Sequence, residues 1–89
     1  MAEGDAASTV TVRHFAAARA AAGVREEKIT LSPGKTVGDL IEVLGRDRPA
    51  LATVLARCSF LLDEVAVRHP SQVVPPGCTV DVLPPFAGG

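Results

Sequence analysis

One region of the chain, residues 36–58, places its apolar residues at helical spacing, and this constrains the fold more than any other feature. Val37, Leu40, Ile41 and Leu44 fall at i, i+3, i+4 and i+7, and Leu51, Val54, Leu55 and Cys58 repeat the spacing. Thr36 and Asp39 stand at capping-box distance, so a helix is expected to start there. Gly45 is a natural stop, and Pro49 suits a first helical position. One bent helix and two short ones both fit. A helical stripe of this kind has to bury its face against another layer.

The partner layer is written around it with period two. Residues 9–15 read as a strand, with Val10 and Val12 on one face and Thr9, Thr11, Arg13 and Phe15 on the other. An alanine-rich helix over 16–22 follows, with Gly23 at its C-cap. Residues 26–31 form the next strand, with Ile29 and Leu31 on one side. After the helical region, 60–62 and 65–67 flank Asp63-Glu64 as a tight hairpin. The last strand covers 79–83, with Val80 and Val82 on one face and Asp81 and Leu83 on the other. The first and last strands can then lie side by side in the centre. This is the order of an α+β, ubiquitin-like β-grasp: a mixed sheet of about five strands with one face covered by the main helix. The expected organisation is a flexible leader over 1–8, the β-grasp domain over 9–83 and an extended tail over 84–89.

The chain of 89 residues carries nine Lys and Arg against ten Asp and Glu, mixed along its length. No basic stripe points to nucleic acid, and no apolar run reaches a membrane span. The start carries acids and no Lys or Arg, unlike a signal peptide, so a cytoplasmic location is expected. Cys58 and Cys78 lie outside any metal-binding or redox spacing and read as reduced, partly buried residues, with no metal site. His14 shares a face with Val10 and Val12 and reads as a hydrogen-bonded, partly buried histidine. His69 precedes a proline in a loop. Glu26-Glu27 and Asp63-Glu64 are adjacent pairs whose carboxylates diverge. No residue set meets the demands of a self-contained active site.

Function is therefore sought on the surface and at the end of the sequence, Pro84-Pro85-Phe86-Ala87-Gly88-Gly89. The prolines end ladder pairing and favour an extended exit. Gly88-Gly89 fills no core, and a side-chain-free end suits a narrow slot on a partner. A frayed terminus fits the same residues. Phe15 and Leu83 both point away from the helix-covered face, either as a docking patch beside the tail or as scattered surface hydrophobes.

Three stretches carry a resemblance: Val12-Arg13-His14-Phe15-Ala16-Ala17-Ala18-Arg19, Thr36-Val37-Gly38-Asp39-Leu40, and 77–89 with its Pro-Pro-x-x-Gly-Gly close. Over residues 9–89 the chain resembles the sulfur-carrier proteins of the β-grasp class, the small subunit of molybdopterin synthase among them. The Pro84-Pro85 pair favours that branch over the thiazole-synthesis carriers. Cys78 and Asp63-Glu64 depart from the family pattern, and neither touches the tail. The resemblance implies that Gly89 is the reactive site, adenylated by an E1-like adenylating and sulfurtransferase enzyme that uses ATP and Mg²⁺. Gly89 then becomes a thiocarboxylate and donates sulfur to a cyclic pyranopterin inside the large subunit of molybdopterin synthase. It implies no cofactor held by this chain and catalytic residues on the partner. Gly88, Phe86, Leu83 and Phe15 are implied as partner-binding. Arg19 aligns with a basic contact residue, although a solvated helix charge accounts for it equally well. A carrier for thiazole, cysteine or another metabolite, and a ubiquitin-like modifier or interaction module, remain alternatives.

Overall fold

A computed structural model describes residues 8–85. Strand β1 (Ser8–His14) leads through helix α1 (Ala16–Ala22) to β2 (Glu26–Leu31). Helices α2 (Val37–Gly45) and α3 (Pro49–Leu55) follow, then β3 (Ser59–Leu62), β4 (Val65–Ala66) and β5 (Thr79–Leu83). The sheet order is β2-β1-β5-β3-β4. β1 and β5 pair in parallel at its centre, with Val12 opposite Val80 and His14 opposite Val82. The neighbouring pairs are antiparallel. This is the expected β-grasp arrangement. Strand β1 takes in Ser8, which pairs with Leu31, so the strand begins one residue before the expected boundary. Phe15 lies just past the strand, yet its N–H still reaches Val82 O at 3.3 Å.

The alternation in β1 and β5 decides which face is covered. Val10, Val12, Val80 and Val82 are buried, as are Leu40 and Leu44 of α2 and Leu51 and Leu55 of α3, all in one apolar cluster with Phe60 and Leu62. The helical region resolves into two helices. Its start is set by the capping box: Thr36 Oγ1 accepts from Asp39 N at 3.2 Å, and Asp39 Oδ2 accepts from Thr36 N at 2.9 Å. The Thr36 N–H, and then the Thr36 hydroxyl, which donates to Asp39 Oδ2 at 3.0 Å, lower the pKa of the Asp39 carboxyl.

Gly45 ends α2 for a reason other than a left-handed cap. A Cβ there would stand 2.9 Å from Ala52 Cβ and 3.2 Å from Ala52 Cα, so the missing side chain lets α3 pack against the end of α2. The hairpin at Asp63-Glu64 does use the left-handed region, with φ of 46° and 73°. Both values are those of a turn that ordinarily favours Asn-Gly. Asp63 offsets the strain through two links to β5: its N–H donates to Thr79 O at 2.8 Å, and its Oδ1 accepts from Thr79 N at 2.9 Å.

Candidate functional site

The chain leaves the centre of the sheet at Leu83, which pairs with Ser59 on one side. On the other side the β1–β5 register runs His14 to Val82 and brings Phe15 level with Leu83. Pro84 and Pro85 follow. Phe86, Gly88 and Gly89, the expected anchor and reactive end, lie outside the described residues. The expected docking pair does fall together. Phe15 is 40% exposed on the sheet face away from α2 and α3, and Leu83 beside it is half-buried.

The surroundings of that pair are more polar than an apolar patch. Arg13 and Asp81 sit opposite each other on β1 and β5, two residues before Phe15 and Leu83. Arg13 Nε donates to Asp81 Oδ1 at 2.7 Å, and Nη2 donates to Oδ2 at 3.0 Å. This is the bidentate fork that matches a carboxylate best. The Asp81 hydrogen bond, and then its charge, raise the Arg13 pKa further above its ordinary value. The Arg13 guanidinium also stands 5.7 Å from the centroid of the Phe15 ring. Sequence reasoning put Arg13 and Asp81 on the same face but left them unpaired. Their opposite charges on two strands expected to be neighbours were the available signal.

Arg19 projects from α1 into a shallow recess of about 330 Å³ that it shares with Arg13, Phe15, Arg25 and Glu26. The helix charge and the Phe15 face therefore border one depression.

His14 faces the core and is fully buried. The Glu27 carboxylate can only accept, so His14 Nε2 carries the hydrogen and donates to Glu27 Oε2 at 2.6 Å. Arg48 Nη2 reaches both Glu27 oxygens, at 3.1 and 3.2 Å. The histidine is thus part of a strut from the sheet to the α2–α3 connection, and its buried Nδ1 has no partner among the described residues. The exposed His69 Nδ1 accepts from Ser71 N at 3.1 Å. Cys58 Sγ donates to Val54 O at 3.2 Å, and Cys78 is buried. Burial pushes both thiols up from their ordinary value, which opposes thiolate chemistry. Among the described residues, no group of three or more His, Cys, Asp or Glu could hold a metal ion. No described helix is long and apolar enough to cross a membrane.

A β-grasp with a bidentate ion pair, an exposed aromatic and a Pro-Pro exit on one face agrees with the sequence comparison. The model of the ThiS family matches residues 12–89. The chain belongs to the ThiS family. Among relatives of this ThiS-family chain is a protein of Chlamydomonas reinhardtii named molybdopterin synthase sulfur carrier subunit. The two are 33% identical over 81 residues, covering 90% of this chain and 98% of the relative. A Pyrococcus furiosus structure, provisionally designated molybdopterin converting factor subunit 1, superposes with a TM-score of 0.79 at 29% identity, covering 89% of this chain and 99% of that one. A complex of subunits 1 and 2 of molybdopterin-converting factor from Helicobacter pylori contains a chain of the same fold, with a TM-score of 0.60 at 21% identity, covering 91% and 99%.

Proposed function

We propose that this chain is the sulfur-carrying small subunit of a molybdopterin synthase. A sulfur carrier of the ThiS type is the coarser statement, and the family match carries it. The finer one is supported above all by the likeness to the molybdopterin synthase sulfur carrier subunit, which extends over nearly all of both chains. In this reading Gly89 is cargo-bearing and the fold presents it. A carboxylate is a poor acyl donor, so an E1-like enzyme transfers AMP from ATP, with Mg²⁺, to the Gly89 carboxylate and releases pyrophosphate. A persulfide sulfur displaces AMP, and cleavage of the resulting acyl disulfide by a second thiol leaves a thiocarboxylate. That soft anion attacks a cyclic pyranopterin within the large subunit of the synthase. Gly88 and Gly89 pass where a Cβ would clash, Phe86 anchors the tail, and Phe15, Leu83 and Arg19 contact the partner. The catalytic groups belong to the partners, and the setting is the cytoplasm.

The test is intact-mass analysis after incubation with the activating enzyme, ATP, Mg²⁺ and a sulfur source. Exchange of one oxygen for sulfur at the C-terminus is expected, followed by conversion of pyranopterin when the large subunit is added. Lysine adducts alone would sink the carrier reading in favour of a modifier. Transfer to a thiazole or cysteine precursor, with pyranopterin untouched, would sink the molybdopterin assignment. Removing Gly88 and Gly89 should abolish the exchange and leave the circular dichroism spectrum unchanged.

A further inference from the structure

Arg13 and Asp81 share their ion pair unequally. Both Asp81 oxygens are occupied and its side chain keeps 8% of its exposure, whereas the Arg13 side chain keeps 46%. A guanidinium has five N–H donors. Asp81 takes one from Nε and one from Nη2, so both hydrogens of Nη1 and the second of Nη2 have no acceptor among the described residues. The Phe15 ring lies beneath the same guanidinium. A surface that comes down on Phe15 and Leu83 therefore comes down on the outward edge of Arg13 as well.

We propose that Arg13, held in place by Asp81, determines partner specificity: the surface that covers Phe15 and Leu83 carries a carboxylate opposite the free edge of the guanidinium. This deepens the sulfur-carrier reading and rests on it, since it describes the large subunit that the reading invokes. In the separate chain, water solvates the free N–H groups. A wholly apolar surface removes that water and supplies no acceptor, and an uncompensated charged donor is a heavy penalty to set against the burial of one ring. A carboxylate restores the hydrogen bonds as a charge-assisted fork. Because Asp81 and Phe15 already fix the guanidinium, little side-chain freedom is lost on docking. The neighbouring charges set the direction of approach. Asp63 and Glu64 border the pair at the hairpin end and repel an incoming carboxylate. Arg19 and Arg25 border the recess at the Phe15 end and attract it, outweighing Glu26 there. The partner's carboxylate is therefore placed on the Phe15 side, where the chain also leaves the sheet.

The test is titration calorimetry of the cognate large synthase subunit against the wild-type chain, Arg13→Leu/Asp81→Leu and Arg13→Lys, at low and high salt, with the melting temperature of each. Replacing both members of the pair leaves no orphaned charge, so the melting temperature is expected to hold. Affinity is expected to fall about tenfold or more, with a flatter salt dependence. Arg13→Lys keeps a charge on Asp81 but removes the outward fork, and several-fold weaker binding is expected from it alone. Wild-type affinity and salt dependence in both variants would overturn the inference. So would a lowered melting temperature with unchanged affinity, which would make the pair only a strut between β1 and β5. A wild-type chain that binds no large subunit would overturn the molybdopterin synthase assignment on which the inference rests.

Discussion

Phe15→Ala separates a docking face from an ordinary surface. A phenylalanine side chain buries on the order of 200 Å² when fully covered. Phe15 retains 40% exposure, so a partner closing over it removes about 80 Å² of apolar surface from water. At about 25 cal/mol per Å² that burial is worth about 2 kcal/mol, or a loss of roughly 30-fold in affinity for the large subunit. The guanidinium of Arg13 over the ring makes this a lower figure, since truncation also removes its aromatic neighbour. The part of the ring already covered implies a separate loss of folding stability of about 1–3 kcal/mol. The assay is calorimetric titration with the large subunit below the melting range of the variant, beside a urea melt. An affinity within about twofold of wild type, in a variant shown to be folded, would refute the assignment of this face.

Three further outcomes are expected. Gly45→Ala should lower stability by about 1–3 kcal/mol in urea melts despite the better helix propensity of alanine, because of the overlap with Ala52. Adding Ala52→Gly should recover part of that loss, and a Gly45→Ala chain as stable as wild type would disprove the close approach. Glu64→Gly should raise stability by about 0.5–1 kcal/mol in the same melts, since it relieves a left-handed residue at φ 73°. Asp39 has its carboxyl pKa lowered by Thr36, so its contribution is present at neutral pH, above the unfolded value, and is lost as the pH falls through the lower folded value. The stability gap between wild type and Asp39→Asn should therefore narrow in acid, and a gap that widens there would reverse the sign of the argument.

Most of the fold was legible because period alone decides it. Val10, Val12, Val80 and Val82 alternate with polar residues, and the stripe from Val37 to Leu44 admits one buried face. What escaped was set by distance in three dimensions. Gly45 looked like a stop signal, and only the approach of Ala52 shows that it is a packing site. Arg46-Asp47-Arg48 carries no breaker, so the sequence fits one bent helix as well as two, whereas Asp47 turns the chain through φ 63°. His14 reads from sequence as a hydrogen-bonded, partly buried histidine and is in fact fully buried, but its partner Glu27 lies 13 positions away and Glu27's second partner Arg48 lies 34 away from His14, and no local pattern links them. Phe15 and Leu83 fall on one face because each continues the alternation of its strand. The Arg13–Asp81 pair between them required knowing that β1 and β5 are parallel and in register.

That register also bears on why a carrier would be built this way. In many small sheets a terminal strand can sit at an edge, held by one ladder. Here β5 is held by two, parallel to β1 and antiparallel to β3. Pulling on the residues beyond Pro85 therefore loads the centre of the sheet, whose side chains at Val80 and Val82 are fully buried. The point where the chain leaves Leu83 stays fixed relative to Phe15 and Arg13. If Gly89 is passed between an activating enzyme and a synthase, both must recognise the same rigid face and find the terminus at the same offset from it. A carrier with an edge-strand exit would allow that offset to drift as the edge frays. In the carrier reading, the two-ladder exit converts recognition of the face into positioning of the cargo.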